Sequence, residues 1–536
     1  MWTTDVPADV SNKVNQVNHD IMASNRDQLD RILLSHSYLQ SESETTGSDL
    51  PEILQESPQE SENSYHEETK SSSQFALVNI SKQSKLFALF FVITHFAREV
   101  LHPYISVYLR QLGFNAKDIG YIGCVQPFVA VFYTPFIGYI SDKFSINKYI
   151  LTGSLVATAF THMAMYYVPT IRVKDCIDIC SVNISSSTVP EFQTDNCSSF
   201  VTITSPSNIT NTQRNIYNTH DLHVVFIYLI FVNIASQLLS APWFPLANGL
   251  VLAVLGSKKR NQYAYFKGFG GFGHCIGVMV AGVTLHMTVY TYTHCFIDVK
   301  QASFLACFLM YSVAILIAAP IAWWMFSESD DKEEKKTNKT YTLATFAGAV
   351  LKLRYISVVI VITWLAIACG KMRTFDYWYI NVLGGSYLMM GWGGFISKVC
   401  GTITFFCLPY LNTKIGHIPL LVAACIGIGA GCIIASMIEN VTWMVVPLLF
   451  REISIAIYAQ SQGAFLGNAV ENQYQATLQS LMSTLTFGVG RGIGSLLGGN
   501  LIEDISPEMS YYIFAIISFI MAVFLILAQL FVKSTL

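Results

Sequence analysis

Apolar runs of about twenty residues recur along this chain from Leu86 to Phe531, and they constrain its fold more than any other feature. A run of that length is what an α-helix needs to cross a hydrocarbon layer about 30 Å thick. The runs lie near 86–108, 119–140, 148–168, 222–243, 269–289, 302–326, 356–380, 387–410, 417–437, 442–462, 477–501 and 510–532. The sequence therefore predicts an all-α membrane protein with twelve transmembrane helices.

The composition supports this prediction. Hydrophobic residues make up 52% of the 536 residues and charged residues only 12%. A soluble domain contains roughly 25% charged residues. The formal net charge of -3 is spread over loops. We therefore expect the chain to lie in a lipid bilayer, and we expect no nucleic-acid partner.

The apolar runs also divide the chain into regions. Residues 1–84 are rich in Ser, Glu and Gln and contain too few apolar residues to fold, so they are predicted to be a disordered acidic cytoplasmic tail. The predicted N-terminal six-helix half covers 85–326, a cytoplasmic linker covers 327–355, and the C-terminal six-helix half covers 356–532. Residues 533–536 form the predicted cytoplasmic C-terminus.

The distribution of Lys and Arg predicts the orientation in the membrane. Basic residues are concentrated in the loops after the second, fourth and sixth predicted helices. Short loops rich in basic residues face the cytoplasm, so both termini are expected there. The long loop 169–220 then lies outside, where its sequons make Asn183, Asn196 and Asn208 predicted glycosylation sites. The sequence fits the plasma membrane and an endosomal or vesicular membrane equally well.

Four of the twelve cysteines fall in predicted outer loops: Cys176, Cys180, Cys197 and Cys295. Four cysteines can form two disulfides in three ways, and the sequence does not select one. An oxidised clamp on the outer loops is the preferred interpretation, and free thiols are the alternative. The chain has no zinc, haem or phosphate-loop signature and no nucleophile constellation, so we expect no cofactor, no metal and no enzymatic activity.

The two halves of the chain resemble each other. Similar residues recur at a spacing of 271: Tyr108 and Tyr379, Leu112 and Leu383, Gly113 and Gly384, Gly120 and Gly391, Lys143 and Lys414. The stretch GFGHCIGVMVAG (271–282) matches GVGRGIGSLLGG (488–499) at a spacing of 217. The two spacings differ by 54, close to the length of the long outer loop. The pattern predicts a duplicated six-helix unit with that loop inserted in the first copy.

The loop after the second predicted helix carries a family signature. GYISDKFSINK resembles the glycine, acidic, basic, glycine, basic motif of the major facilitator superfamily, and Gly138, Asp142, Lys143 and Lys148 match it. Ser145 stands where the family usually has its second glycine. The resemblance implies two six-helix halves and a loop that latches the outward-open conformation. A basic turn that only follows the topology rule is the alternative.

Two finer resemblances exist within that superfamily. PYISVYLRQLGFNAKDIGYIGCVQPFVAVFYTPFIGYISDK is similar in layout to the first two helices of the lactose permease branch, but the substrate-binding arginine of that branch would fall near Tyr265. The animal orphan subgroup called major facilitator superfamily domain-containing protein six is more similar, through PYISVYLRQLGF and FGVGRGIGSLLGG. This resemblance implies the fold without a substrate.

The first predicted helix contains the stretch THFAREVLHP, with four polar side chains on one face. At 100° per residue, Arg98, His102 and Glu99 lie at about -60°, -20° and +40° from His95. Charged residues inside a membrane usually line cavities or pathways. We therefore interpret this stripe as part of a substrate or proton pathway. An Arg98–Glu99 pair that only joins helices is the alternative.

Other charged and polar residues also fall in predicted helices. Arg373 and Asp376 lie about 60° apart on the seventh helix and are expected to pair, while Lys371 points to another side. On the tenth helix Arg451 is the preferred ligand candidate. The remaining candidates are Tyr458 and Gln462 on the Arg451 stripe, Lys398 as a ligand or a partner for an acid, and Arg491 as a ligand or a helix contact.

A charge count indicates the class of solute. Six basic residues, Arg98, Lys371, Arg373, Lys398, Arg451 and Arg491, oppose three acids, Glu99, Asp376 and Glu452. An anionic group on a solute would offset the excess positive charge. The sequence therefore predicts a monomeric secondary transporter of a small polar or anionic organic solute, with proton coupling through Glu99 as a further hypothesis. A non-transporting receptor or scaffold that uses the glycosylated loop is the alternative.

Overall fold

The apolar runs fold as long α-helices. The computed structural model describes residues 82–144, 146–172, 217–255, 260–294, 297–327, 353–469 and 484–534. The helices in these ranges are α1 (Lys82–Leu101), α2 (Ile105–Gln111), α3 (Ala116–Phe144), α4 (Asn147–Ala164), α5 (Thr219–Ser240), α6 (Trp243–Leu255), α7 (Arg260–Met287), α8 (Leu305–Ser327), α9 (Leu353–Val382), α10 (Tyr387–Ile415), α11 (His417–Ser436), α12 (Val445–Ala469), α13 (Arg491–Asp504) and α14 (Pro507–Ser534).

Nine segments within the described ranges are long and apolar enough to cross a membrane. They coincide with nine of the predicted spans. The other three predictions, for 119–140, 148–168 and 477–501, fall on α3, on α4, and on a π-helical segment (Thr484–Gly490) followed by α13. Large apolar side chains on α14, such as Ile520, Leu527 and Leu530, are more than half exposed, as expected of a face that contacts lipid. The chain is an all-α multi-pass membrane protein.

A short β-hairpin interrupts the helices where the sequence predicted an outer loop. Strand β1 (Val289–His294) pairs antiparallel with β2 (Ile297–Ala302), with Val289 opposite Ala302. The alternating Thr and Tyr residues of VYTYTH suit a pleated strand better than a helix end. The predicted spans 269–289 and 302–326 therefore each extend slightly too far into the hairpin.

The sequence repeat has a structural counterpart. Gly113 and Gly384, which are 271 residues apart, both adopt positive φ, +97° and +80°, at the ends of α2 and α9. In the first half, α1–α8, helix α1 packs on α7 and α8; in the second half, α9–α14, helix α9 packs on α13 and α14. The guanidinium of Arg110 donates a hydrogen bond to the amide oxygen of Asn381, which occupies the equivalent position of the second copy.

Glycines allow the two halves to approach closely along two equivalent seams. A Cβ atom on Gly282 of α7 would lie 2.5 Å from the Cα of Gly391 on α10. A Cβ atom on Gly120 of α3 would lie 3.1 Å from the Cα of Gly499 on α13. Gly282 and Gly499 are themselves equivalent at the spacing of 217. Small residues at such contacts are typical of helix packing in membranes.

Candidate functional site

The polar stripe of α1 divides between two groups of neighbours. His95 is buried, its Nδ1 lies 2.7 Å from the carbonyl oxygen of Phe91, and its ring centroid lies 4.6 Å from that of His274 on α7. His102 faces a different group, with its ring centroid 5.7 Å from His162 on α4 and 5.9 Å from Tyr311 on α8. The four stripe residues therefore do not form a single cluster.

Glu99 is the centre of the candidate site. Its side chain is 1% exposed, and its Oε1 lies 3.1 Å from Arg373 Nη2, 3.1 Å from His274 Nδ1 and 3.5 Å from Lys398 Nζ. Its other oxygen, Oε2, is buried and has no hydrogen-bond partner among the described residues. The partners come from α7, α9 and α10, so Glu99 connects the first half of the chain to the second.

The alternative of an Arg98–Glu99 pair is wrong. Consecutive residues on a helix point about 100° apart. Glu99 faces α7, α9 and α10, where three basic groups surround it. Arg98 points elsewhere, is half-buried, and forms no hydrogen bond or ion pair with any part of the chain that the structure describes.

A chain of alternating charges continues from Glu99 into the second half. Lys398 Nζ lies 3.0 Å from Glu452 Oε1, which in turn lies 3.0 Å from Arg451 Nη2. Arg451 Nη1 lies 2.5 Å from Asp376 Oδ2, and the hydroxyl of Tyr511 donates a hydrogen bond of 2.7 Å to Asp376 Oδ1. The groups satisfy one another's charges inside the helix bundle, where an unpaired ion would be costly.

The expected ion pair between Arg373 and Asp376 does not form. Arg373 turns to Glu99, while Asp376 turns into the second half and pairs with Arg451. The helical spacing of the two residues is compatible with a pair, but each has a closer opposite charge on another helix. Arg451 was the preferred ligand candidate, and the structure places it between two carboxylates. Lys398 was expected to be either a ligand or a partner for an acid, and it contacts two acids, Glu99 and Glu452.

A further set of basic residues consists of Arg98 on α1, Arg373 on α9 and Arg491 on α13. A Cβ atom on Gly370 would lie 2.7 Å from the Cα of Arg491, and Arg373 follows Gly370 by one helical turn. Arg98 is within electrostatic range of both Arg373 and Arg491. All three arginine residues are of intermediate burial. Three positive side chains therefore approach one another beside Glu99.

The other predicted site residues lie away from this meeting point or deeper in the helices. Lys371 is fully buried, and its Nζ lies over the ring of Tyr511 without a hydrogen-bond partner among the described residues. Tyr458 and Gln462 are buried on α12. The glycines Gly494 and Gly498 next to Arg491 pack against α9, so the α13 glycine face is a helix seam while the Arg491 side chain stays half-buried.

Sequence reasoning missed His274, His162 and Tyr511. His274 is a direct partner of Glu99, and it occupies the position equivalent to Arg491 at the repeat spacing of 217. A comparison of polar residues at equivalent repeat positions would have found it. No comparable signal marks His162 or Tyr511, because an isolated histidine or tyrosine in an apolar helix is usually a packing residue.

Several predicted residues lie outside the described part of the chain. These are the sequon residues Asn183, Asn196 and Asn208 and the cysteines Cys176, Cys180, Cys197 and Cys295. In the latch motif, Gly138 and Asp142 belong to α3, but the side chain of Asp142 is not among those described. Lys143 is exposed, and Lys148 Nζ lies 4.2 Å from the ring centroid of Trp323 on α8. The latch stays a prediction.

Repeated sets of helices with matching glycine seams and a buried ion cluster between them are features expected of a major facilitator transporter. The sequence matches the family described as "MFS_1 like family" over residues 83–514. The chain belongs to this family.

Individual relatives agree with this assignment. The mouse (Mus musculus) "Major facilitator superfamily domain-containing protein 6-like" is 25% identical over 91 residues, which cover 17% of this chain and 16% of that protein. The crystal structure of the nucleoside transporter NupG has a TM-score of 0.55 at 12% identity and covers 84% of this chain and 99% of its own. A bacterial homologue of the human lysosomal transporter Spinster, inward-facing and occupied, has a TM-score of 0.52 at 12% identity and covers 83% of this chain and 96% of its own. At these identities the structural likeness establishes the fold alone.

Proposed function

We propose that this chain is a secondary active transporter that moves a small polar or anionic organic solute by alternating access of its two halves. The observation that carries the proposal is the contact of Glu99 on α1 with Arg373 on α9 and Lys398 on α10. These ion pairs join the two halves inside the bundle. Arg373 is 28% and His274 24% exposed, so the described residues do not fully enclose these two partners of Glu99.

The ion pairs between the two halves resist movement of one half against the other. Alternating access moves one half against the other around a site near the middle of the membrane. The Glu99 contacts with the second half must then lengthen or break in part of the cycle, whereas the contact with His274 lies within the first half. A solute or a proton that replaces the lost contacts lowers the cost of that movement, which couples binding to conformational change.

Glu99 is the proposed proton site. Three basic groups on Oε1 stabilise the carboxylate, so it stays ionised while they remain in place. Oε2 is buried and has no hydrogen-bond partner in the described part of the chain, and it is the oxygen that a proton would occupy once Arg373 and Lys398 withdraw. Proton uptake would thus belong to the conformations in which the second half has moved away.

The transport proposal is tested with the purified full-length chain in proteoliposomes. Vesicles are loaded with mixtures of unlabelled organic acids, sugars, nucleosides or amines, and exchange of the labelled counterpart is measured against protein-free vesicles. We expect exchange for at least one class of solute. Folded protein that exchanges no solute from any class would contradict transport and would favour the receptor or scaffold alternative.

A further inference from the structure

We infer that a carboxylate group of the transported solute binds Arg98 together with Arg373, and that it takes Arg373 over from Glu99. This inference rests on the proposed function and concerns the same site. Arg98 lies beside Glu99 in the sequence, is half-buried, and has no acidic partner among the described residues. A guanidinium in that position favours an anionic ligand, because an unpaired charge inside the bundle is costly.

Arg373 is the partner that Glu99 can most easily release. Lys398 is only 12% exposed and is held by two acids, Glu99 and Glu452, at 3.5 Å and 3.0 Å. His274 belongs to the same half as Glu99. Arg373 is 28% exposed, and the acid that it contacts among the described residues is Glu99, at 3.1 Å. If Arg373 leaves, Glu99 still keeps two positively charged or polar partners.

The chemistry of the site favours a carboxylate over other anions. The group that Arg373 now binds is itself a carboxylate, and a planar guanidinium can bind such a group through two parallel hydrogen bonds. Arg98 adds one positive charge, which a monovalent anion neutralises. The nearby Arg491 guanidinium adds to the positive potential of the same region. Phosphate would bring a larger negative charge close to the carboxylate of Glu99, which contacts the same Arg373, and this repulsion makes phosphate the less favourable ligand.

The inference makes Glu99 and the solute competitors for Arg373. Removing the charge of Glu99 should therefore strengthen carboxylate binding, while removing the charge of Arg98 should weaken it. A role of Arg98 in packing alone would give no such opposite effects. The carboxylate of Glu99 would bind Arg373 when no solute is present, in place of the carboxylate of the solute.

The experiment measures thermal stabilisation of the purified full-length chain by acetate, benzoate and succinate at constant ionic strength. A ligand that binds the folded state raises the melting temperature by mass action. Acetamide, benzamide and succinamide are the neutral counterparts, and inorganic phosphate is the second anion. We expect at least one carboxylate to stabilise the chain more than its amide and more than phosphate at equal concentration.

Four variants locate the site. Arg98→Gln should weaken binding of the carboxylate by about tenfold or more, which is the loss expected for a charged hydrogen-bonded contact. Arg98→Lys should weaken the binding less. Glu99→Gln should bind it more tightly than the parent. Arg172→Gln, which changes an exposed arginine paired with Asp221 at the start of α5, should leave binding unchanged. Melting temperatures without ligand identify any variant that is not folded, and Arg98→Lys then carries the comparison.

Each outcome bears on a different claim. Equal stabilisation by carboxylates and amides, stronger stabilisation by phosphate, or unchanged carboxylate binding in both Arg98 variants would overturn the inference. Carboxylate binding that depends on Arg98 without exchange in vesicles would support this site and contradict transport. Exchange of a neutral solute without any carboxylate effect would support transport and contradict this site.

Discussion

Asp376 on α9 is surrounded by partners from two other helices of the second half. Its fully buried carboxylate binds Arg451 through one oxygen and the hydroxyl of Tyr511 through the other. Both partners lie in the second half, so the contact does not have to break when the halves move. We therefore interpret the Asp376–Arg451 pair as a structural contact that holds α9, α12 and α14 together.

Asp376→Asn should destabilise the chain strongly. Removing one partner of a buried ion pair typically costs about 3–5 kcal/mol, because the other charge stays buried. Glu452 remains in contact with Arg451, so we expect the lower end of that range. The measurement is the melting temperature in detergent. Asp504→Asn is the matched control, since Asp504 is 61% exposed and lies 3.9 Å from Lys117. An equal effect of the two substitutions would contradict the structural role of Asp376.

Substitution of Lys371 should change the melting temperature in the opposite direction. Its ammonium group is fully buried over the ring of Tyr511 and has no hydrogen-bond partner among the residues described. An unpaired buried charge is costly, and an apolar side chain of similar length removes that cost. Lys371→Met should therefore raise the melting temperature. A fall in the melting temperature would show that the charge of Lys371 stabilises its surroundings.

The helices show where local patterns suffice and where they fail. The length and position of the spans follow from apolar runs alone, because crossing a membrane requires a nearly fixed number of residues. The hairpin of β1 and β2 was missed, since a run of apolar and aromatic residues fits either a helix end or a strand. The partners of Arg373 and Asp376 were missed as well, because the choice depends on charges that other helices bring near.

The glycine seam between α7 and α10 supports a prediction at the level of elements. A Cβ atom on Gly282 would lie 2.5 Å from Gly391 Cα, so Gly282→Ala should push the two helices apart. Overpacking of this kind costs about 1–3 kcal/mol. Gly153→Ala on α4 is the control, because a Cβ atom there would have no described atom within 4 Å apart from its own stretch of helix.

The separation of the halves near that seam can be measured as a distance between spin labels. The labels are attached at His220→Cys, in the first turn of α5, and at Glu439→Cys, between α11 and α12. The labelled protein is a variant without other reactive cysteines. Both native residues are exposed. Gly282→Ala should shift the distance distribution to longer values, and Gly153→Ala should not. Identical distributions in the two variants would show that the seam does not control the separation.

At the scale of the whole molecule, the repeat was the most informative sequence feature. The spacing of 271 connects Gly113 with Gly384, which share a left-handed backbone, and Arg110 with Asn381, which are hydrogen-bonded to each other. The candidate site was predicted less completely. The stripe on α1 identified Glu99, but its partners Arg373, Lys398 and His274 come from three helices that are distant in the sequence. Helical periodicity describes one helix at a time and cannot specify which faces meet.

We propose that Glu99 couples proton movement to movement of the two halves. The most direct test is accumulation of a transported solute in proteoliposomes with and without an inward proton gradient. Glu99→Gln removes the titratable group at nearly constant size, and Glu439→Gln changes an exposed glutamate in the turn before α12 as the control.

We expect the parent chain and Glu439→Gln to accumulate solute when the gradient is applied. Glu99→Gln should lose this accumulation and keep exchange of solute across the membrane, since exchange needs movement of the halves without net proton transfer. Gradient-driven accumulation that is equal in Glu99→Gln and the parent would contradict a role of Glu99 in proton coupling.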